Sequence, residues 1–232
     1  MIFIHINKKL SNLKINIMLN SVFPKIHKEG YKFLAISIIL TFLTLLISKF
    51  IGAVFILITV WVYYFFRDPE RFPINDDNYL VSPADGLISD IKEISGPIEL
   101  GLENKTYTRV SIFMNVFNCH VNRTPVSAQV EEIFYKPGKF LNASLDKASE
   151  ENERNYYKLK TSNGSDIIIV QIAGLIARRI VCEVNNDQTL KQGDRIGMIR
   201  FGSRVDLYFN NKKLLAKLGQ NVVAGESLIA TE

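Results

Sequence analysis

Two uncharged stretches, Phe33–Ser48 and Phe50–Phe66, separated only by Lys49, dominate the hydrophobic pattern of the first third of the chain. Each approaches the lower limit of about 17 apolar residues for a helix that spans a bilayer. A soluble hairpin rarely stays apolar on every face, so the pattern predicts membrane helices. Two arrangements fit: a tight hairpin turning at Ser48-Lys49 with help from Gly52, or one long tilted helix whose Lys49 snorkels to the surface. The hairpin is the expectation, because residues 33–66 together far exceed one hydrocarbon thickness of about 30 Å. A cleaved secretory signal is not expected: the apolar region is too long, lies too far from the N-terminus, and has no small-residue cleavage site after it.

The pattern changes at Arg67-Asp68-Pro69-Glu70-Arg71-Phe72-Pro73, where two prolines and four charges open a polar linker over residues 67–80. Strand patterns follow in residues 81–232. Tyr107–Phe117 is rich in β-branched and aromatic residues, Asp166–Ala173 is a continuous apolar run, and Val126–Phe134 alternates. Leu141–Asn152 mixes small, apolar and charged residues without proline and predicts a helix. Three segments, Val81–Ile88, Lys191–Ile199 and Val222–Ile229, each join an acidic residue and a glycine to an aliphatic strand, the turn chemistry that bends short strands in compact barrels. The expected fold is therefore mainly β: a barrel-sandwich-like domain with few short helices, of the kind seen in biotinyl and lipoyl carriers, preceded by an α-helical membrane hairpin.

Charge sharpens this picture. The net charge is +5, and Lys8, Lys9, Lys14, Lys25, Lys28 and Lys32 precede the apolar stretches while Arg67 and Arg71 follow them. The positive-inside rule then puts both ends of a hairpin, and the C-terminal domain, on the cytoplasmic side of a cell membrane. Residues 1–32 form a basic extension in which Met18 could equally be a start. Only two cysteines, Cys119 and Cys182, are present, which suits reduced structural thiols more than a disulfide scaffold. No basic-aromatic platform suggests nucleic acid, and no His/Cys/acid cluster suggests a metal.

Candidate chemistry is sparse, which makes it specific. His5 and His27 precede the anchor, so imidazole acid-base work in the C-terminal domain falls to His120, at the end of a strong strand. Asp85, in a turn entering a strand, is a candidate to orient that imidazole. Ser203 directly follows Gly202, and a serine there can attack the preceding carbonyl because glycine has no side chain to block the approach. Neither a Gly-x-Ser-x-Gly elbow nor a phosphate-binding Gly-x-x-x-x-Gly-Lys loop occurs.

Longer motifs carry a resemblance. FFRDPERFP (65–73), VSPADGLI (81–88), FMNVFNCHVNRTP (113–125), GKFLNASLDKASEENERN (138–155), QIAGLIARRIVC (171–182) and GDRIGMIRFGSRVDLY (193–208) occur in the order seen in phosphatidylserine decarboxylases. The chain resembles the short, archaeal-type branch of that family from its second apolar stretch onward. The resemblance implies a proenzyme that cuts itself between Gly202 and Ser203 into a β chain (Met1–Gly202) and an α chain (203–Glu232). Ser203 would become a pyruvoyl group, the only cofactor, which forms a Schiff base with phosphatidylserine and yields phosphatidylethanolamine and carbon dioxide. It implies His120 as base with Asp85 as its partner, and a membrane lipid environment suited to the apolar anchor. Arg109, Arg123, Arg178 and Arg179 are candidates for the lipid phosphate or serine carboxylate. Two departures stand out. Longer relatives carry Leu-Gly-Ser-Thr where Phe201-Gly202-Ser203-Arg204 stands here, and Arg123 occupies the place of a second histidine, so His120 would serve one step or both. A non-enzymatic membrane-anchored carrier is the alternative, but no Met-Lys-Met type lysine turn supports it. An uncleaved lipid-binding homologue is another. A homo-oligomer is left open.

Overall fold

A computed structural model describes residues 23–139, 151–174, 179–200 and 203–232, in two compact units divided between Glu70 and Arg71. In the first unit the apolar run becomes two helices, α1 (Tyr31–Ile47) and α2 (Lys49–Phe65), broken at Ser48, whose backbone is extended. The helices fold back on each other. The Thr41 hydroxyl lies 2.9 Å from that of Thr59 and 3.1 Å from the Phe55 carbonyl oxygen, and Gly52 lets Leu45 approach closely. Lys25–Ile26 pairs antiparallel with Arg67–Asp68, and Phe33 stacks on Phe66, so the base of the hairpin is closed by its own flanking residues. With the short turn before it, Lys28–Ile47 is long and apolar enough to cross a membrane; Lys49–Phe65 is shorter, at about 25 Å. Ile47 and Phe50, at the tip, are each 79% exposed, as suits apolar surroundings.

The second unit is built of β-strands: β1 (Tyr79–Val81), β2 (Gly86–Ser95), β3 (Thr106–Met114), β4 (Val121–Arg123), β5 (Ala128–Lys136), β6 (Arg154–Thr161), β7 (Asp166–Ala173), β8 (Arg179–Cys182), β9 (Thr189–Leu190), β10 (Arg195–Arg200), β11 (Ser203–Phe209), β12 (Lys213–Leu214), β13 (Asn221–Val222) and β14 (Leu228–Thr231). An eight-stranded antiparallel sheet, ordered β9-β5-β6-β7-β11-β3-β2-β13, curls into a half-barrel. Two three-stranded sheets, β8-β10-β4 and β12-β14-β1, accompany it. The mainly β expectation holds. The helix expected over Leu141–Asn152 falls almost wholly outside the described residues.

The large sheet is covered on both faces, which explains the unbroken apolar run of β7, buried from Asp166 to Ala173. On the inner face, Val110, Ile112 and Met114 of β3 pack with Ile167 and Ile169 of β7, Val205 and Leu207 of β11, and Ile180, Ile196 and Ile199 of the β8-β10-β4 sheet. Side chains of opposite parity, including Tyr107, Tyr156, Ile168, Val170 and Tyr208, meet Leu100 and Leu102 on the other face. Each such aliphatic side chain contributes about 1.5–3 kcal/mol on burial. Gly86 begins β2 so close to β3 that any side chain would collide with the Phe113 carbonyl oxygen. Gly193, at φ 84°, supplies the left-handed turn before β10.

Candidate active site

The strand that carries Ser203 is deeply enclosed. β11 lies between β7 and β3, and every residue from Ser203 to Phe209 is buried. Ser203, its first residue, stands opposite Ala173 of β7 on one side and Met114 of β3 on the other. Its hydroxyl is buried with no hydrogen-bond partner among the described residues. Gly202 and Arg178 lie outside the described residues.

His120 directly precedes β4 and is fully buried. The chain before it turns on itself: the Asn115 and Phe117 N–H groups donate to the Asn118 and Asn115 side-chain oxygens, and the Asn118 N–H donates to the Asn115 carbonyl. This turn sets the Asn118 carbonyl oxygen 3.0 Å from His120 Nδ1. A carbonyl only accepts, so Nδ1 carries a proton; in the neutral ring the lone pair then lies on Nε2, the tautomer a general base requires. On the other side the His120 carbonyl accepts from Ile199 N–H, placing this residue beside the segment that leads into Ser203.

Strand alternation gives His120 the same facing as Asn122. The Asn122 amide donates to Met114 Sδ at 3.6 Å and accepts from Gln171 Nε2 at 2.8 Å; Gln171 Oε1 accepts from the Tyr157 hydroxyl at 2.7 Å. Burial pushes the Tyr157 phenol well above its ordinary pKa, so it remains a donor. This fully buried chain ties β4 to β7 and β3, the neighbours of Ser203, and fixes the histidine strand over the serine end of the sheet.

Asp85 reaches the same end of the sheet but not the imidazole. It precedes Gly86 at the start of β2, on the far side of β3 from β11. Its two carboxylate oxygens accept from Arg71 Nη2 at 3.0 and 2.7 Å, and one of them also accepts from Ala224 N–H at 2.8 Å. The orienting contact expected from Asp85 is thus made by the Asn118 carbonyl, and Asp85 instead neutralises Arg71. Arg123 sits in β4, yet its guanidinium donates to the Gly193 carbonyl at 2.8 Å, which pins the turn before β10. Arg109 pairs with Asp90 at 2.7 Å and stands opposite Tyr208, five residues from Ser203 along β11 and on the other face, roughly 17 Å away. Arg179 opens β8, exposed, directly opposite Arg200.

Comparison with known proteins is decisive. A family model described as phosphatidylserine decarboxylase matches residues 58–230, three quarters of the chain. The chain belongs to the phosphatidylserine decarboxylase family. It is 64% identical over 213 residues to a phosphatidylserine decarboxylase proenzyme of Pelagibacter ubique, covering 92% of this chain and 99% of that one. Proenzymes of the same name from Rickettsia typhi and Ruegeria pomeroyi are 51% and 47% identical, over 91% and 92% of this chain and 92% and 98% of theirs.

Within this family frame, sequence reasoning passed over Arg71, Asn118 and Gln171. Arg71 lies in the stretch read as a linker, and Asn118 acts through its backbone, which leaves no mark in a sequence. Gln171 could have been flagged as the one amide inside an otherwise apolar strand.

Proposed function

We propose that this chain is a self-maturing phosphatidylserine decarboxylase, which converts phosphatidylserine to phosphatidylethanolamine and carbon dioxide at a membrane surface. The observation that carries this reading is the Ser203 hydroxyl, buried and without a hydrogen-bond partner among the described residues, within the region matched to the family. Such a group costs about 1–3 kcal/mol. Alanine at this position would avoid that cost if the serine were only structural.

In maturation, His120 Nε2 takes the proton from Ser203 Oγ, which bonds to the Gly202 carbonyl carbon, and returns it to the Ser203 nitrogen as the peptide C–N bond breaks, leaving an ester and a free amine. Loss of the Ser203 Cα proton then breaks the Cβ–Oγ bond. Gly202 departs as a carboxylate and residue 203 becomes dehydroalanine, whose hydrolysis by one water releases ammonia and leaves a pyruvoyl group. The products are the β chain, Met1–Gly202, and the α chain, 203–Glu232. The Asn118 carbonyl on Nδ1 supports His120 as the base, since it selects the tautomer.

The surroundings fit a pyruvoyl group: small Ala173 and apolar Met114 flank a position where a polar atom is already buried. A carbonyl at residue 203 supplies the electrophile that captures the substrate amine and accepts the electron pair released with carbon dioxide, so no external cofactor is required. The enclosing strands exclude water, and His120 holds a proton for the carbon that loses its carboxylate. Lys25, Lys28, Lys32 and Arg67 flank the apolar hairpin, which favours a cytoplasmic domain acting on lipid of the adjoining leaflet. The test is direct: native protein and Ser203→Ala are given phosphatidylserine in mixed micelles. Native protein releases carbon dioxide and phosphatidylethanolamine and the variant neither splits nor reacts; an inert native chain would refute the assignment.

A further inference from the structure

Asn122 is fully buried in β4, two residues after His120, and its carboxamide is held at both ends by side chains from the strands that flank β11. From β7, Gln171 Nε2 donates to Asn122 Oδ1 at 2.8 Å; on the β3 side, Asn122 Nδ2 donates to Met114 Sδ at 3.6 Å. Met114 stands directly opposite Ser203 on the ladder, with Cα atoms about 4.5–5.5 Å apart, and Gln171 stands opposite Val205, the next inward-facing residue. Met114, Ala173 and Val205 share the inner core, and alternation gives Gln171 and Ser203 the same facing. The Asn122 carboxamide is therefore suspended over the Ser203 end of β11.

Its orientation is set from behind. The Tyr157 hydroxyl donates to Gln171 Oε1 at 2.7 Å, which turns Gln171 Nε2 toward Asn122 Oδ1 and leaves Asn122 Nδ2 aimed at Met114. A thioether is a weak acceptor, and among the described residues it is the sole partner for the two N–H groups of this amide. A fully buried donor is thus left unused, which costs about 1–3 kcal/mol. Ser203 Oγ, on the same face beside Met114, is also buried without a partner among the described residues. The two do not bond to each other in the uncleaved chain, as suits a donor whose acceptor becomes charged only later.

We infer that Asn122 Nδ2 donates to Ser203 Oγ in the second step of maturation. This rests on the decarboxylase reading and adds a catalytic residue to it. In the first step, charge develops on the Gly202 carbonyl oxygen. In the second, the Ser203 Cα proton passes to His120 Nε2, its electron pair forms the Cα–Cβ double bond, and the Cβ–Oγ pair stays on Oγ, which becomes an oxygen of the Gly202 carboxylate. Charge reaches Oγ only then, and a preorganised donor stabilises it. A neutral amide suits this depth, where a cation would need a buried counter-charge.

Asn122→Leu and Asn122→Ala test this in the whole chain, with Gln171→Glu as a variant that leaves residue 122 intact. The carboxylate of the last only accepts, so Asn122 turns its N–H groups toward it and away from Ser203. Each protein is followed by denaturing gel and mass spectrometry, with and without neutral hydroxylamine, which cleaves esters. Spontaneous splitting should slow about 10²–10³-fold. The block should fall after the ester, so hydroxylamine should split each variant between Gly202 and Ser203 and give an α chain that starts with an unblocked serine. Loss of the fold would not do this, because an unfolded chain forms no ester. Spontaneous splitting within about threefold of native would overturn the role of Asn122, as would three variants that all stay whole and resist hydroxylamine. A native chain that never splits would instead defeat the decarboxylase reading.

Discussion

The two faces of β11 treat polar groups in opposite ways. On the outer face Arg204 donates to both carboxylate oxygens of Asp206 at 2.7 Å, and Arg109, which lies in the field of Asp206, pairs with Asp90. Burial, reinforced by Asp206, pushes the Tyr208 phenol up to about 12, so it stays neutral. On the inner face the same strand offers one hydroxyl, Ser203, with no partner among the described residues. Along β11 itself, the outer-face charges are matched by neighbouring ions, whereas the inner-face serine hydroxyl is left without a partner among the described residues. Arg204 and Asp206, though close in sequence to the serine, belong to the structural side.

Replacements should keep these roles apart. The largest effect is expected for Ser203→Ala, which should abolish both cleavage and decarboxylation while leaving the thermal midpoint unchanged or higher, as read by gel and calorimetry. Next comes His120→Ala, expected to slow maturation by about 10²–10⁴-fold, measured as the half-time of cleavage after synthesis. Normal maturation of that variant would remove His120 from the step. Asp206→Ala should act through stability, costing about 3–5 kcal/mol in chemical denaturation because Arg204 and Arg109 lose a buried counter-charge. Its folded fraction should still split at residue 203. If Asp206→Ala instead stayed stable and failed to mature, the division between the faces would be wrong.

Smaller effects follow from pH. At Asp90, Glu99 and Asp166 burial alone would raise the carboxyl pKa, but hydrogen bonds from Arg109 and Lys92, from Lys136, and from Lys160 and Lys105 respectively outweigh it and hold each below its usual value. Each folded pKa lies below the unfolded one, so the stabilisation is fully present above about pH 4–4.5 and is lost as pH falls through the folded values. Denaturant midpoints of the Ser203→Ala protein should be level from neutral pH down to about 5 and then decline. The smallest expected change is at Lys139–Glu151, an exposed pair at 3.0 Å whose removal should cost under about 1 kcal/mol.

What the sequence made legible was local. The apolar stretches became α1 and α2 with the break at Ser48, and the three strand patterns fall on β3, β5 and β7. The first of them ends early, at Met114, because the Asn115 and Asn118 side chains bond to nearby backbone and close a turn. Ser203 and His120 stand out in the sequence because residue type suggests their chemistry, and their roles belong to the proposal above. What required long-range pairing was not readable. Nothing local says that β11 inserts between β7 and β3, and the Arg179–Arg200 juxtaposition exists only through ladder register. Residue type alone suggests Asp85 as a partner for His120, because an acid commonly orients an imidazole; in the folded chain its carboxylate accepts from Arg71, in the stretch that reads as a linker.

Intact mass measurement of the purified native protein, combined with N-terminal sequencing, addresses the central claim most directly. Two chains parted between Gly202 and residue 203, the shorter one blocked to sequencing, are the predicted result. A single 26.4 kDa chain that nonetheless decarboxylates phosphatidylserine would contradict the account.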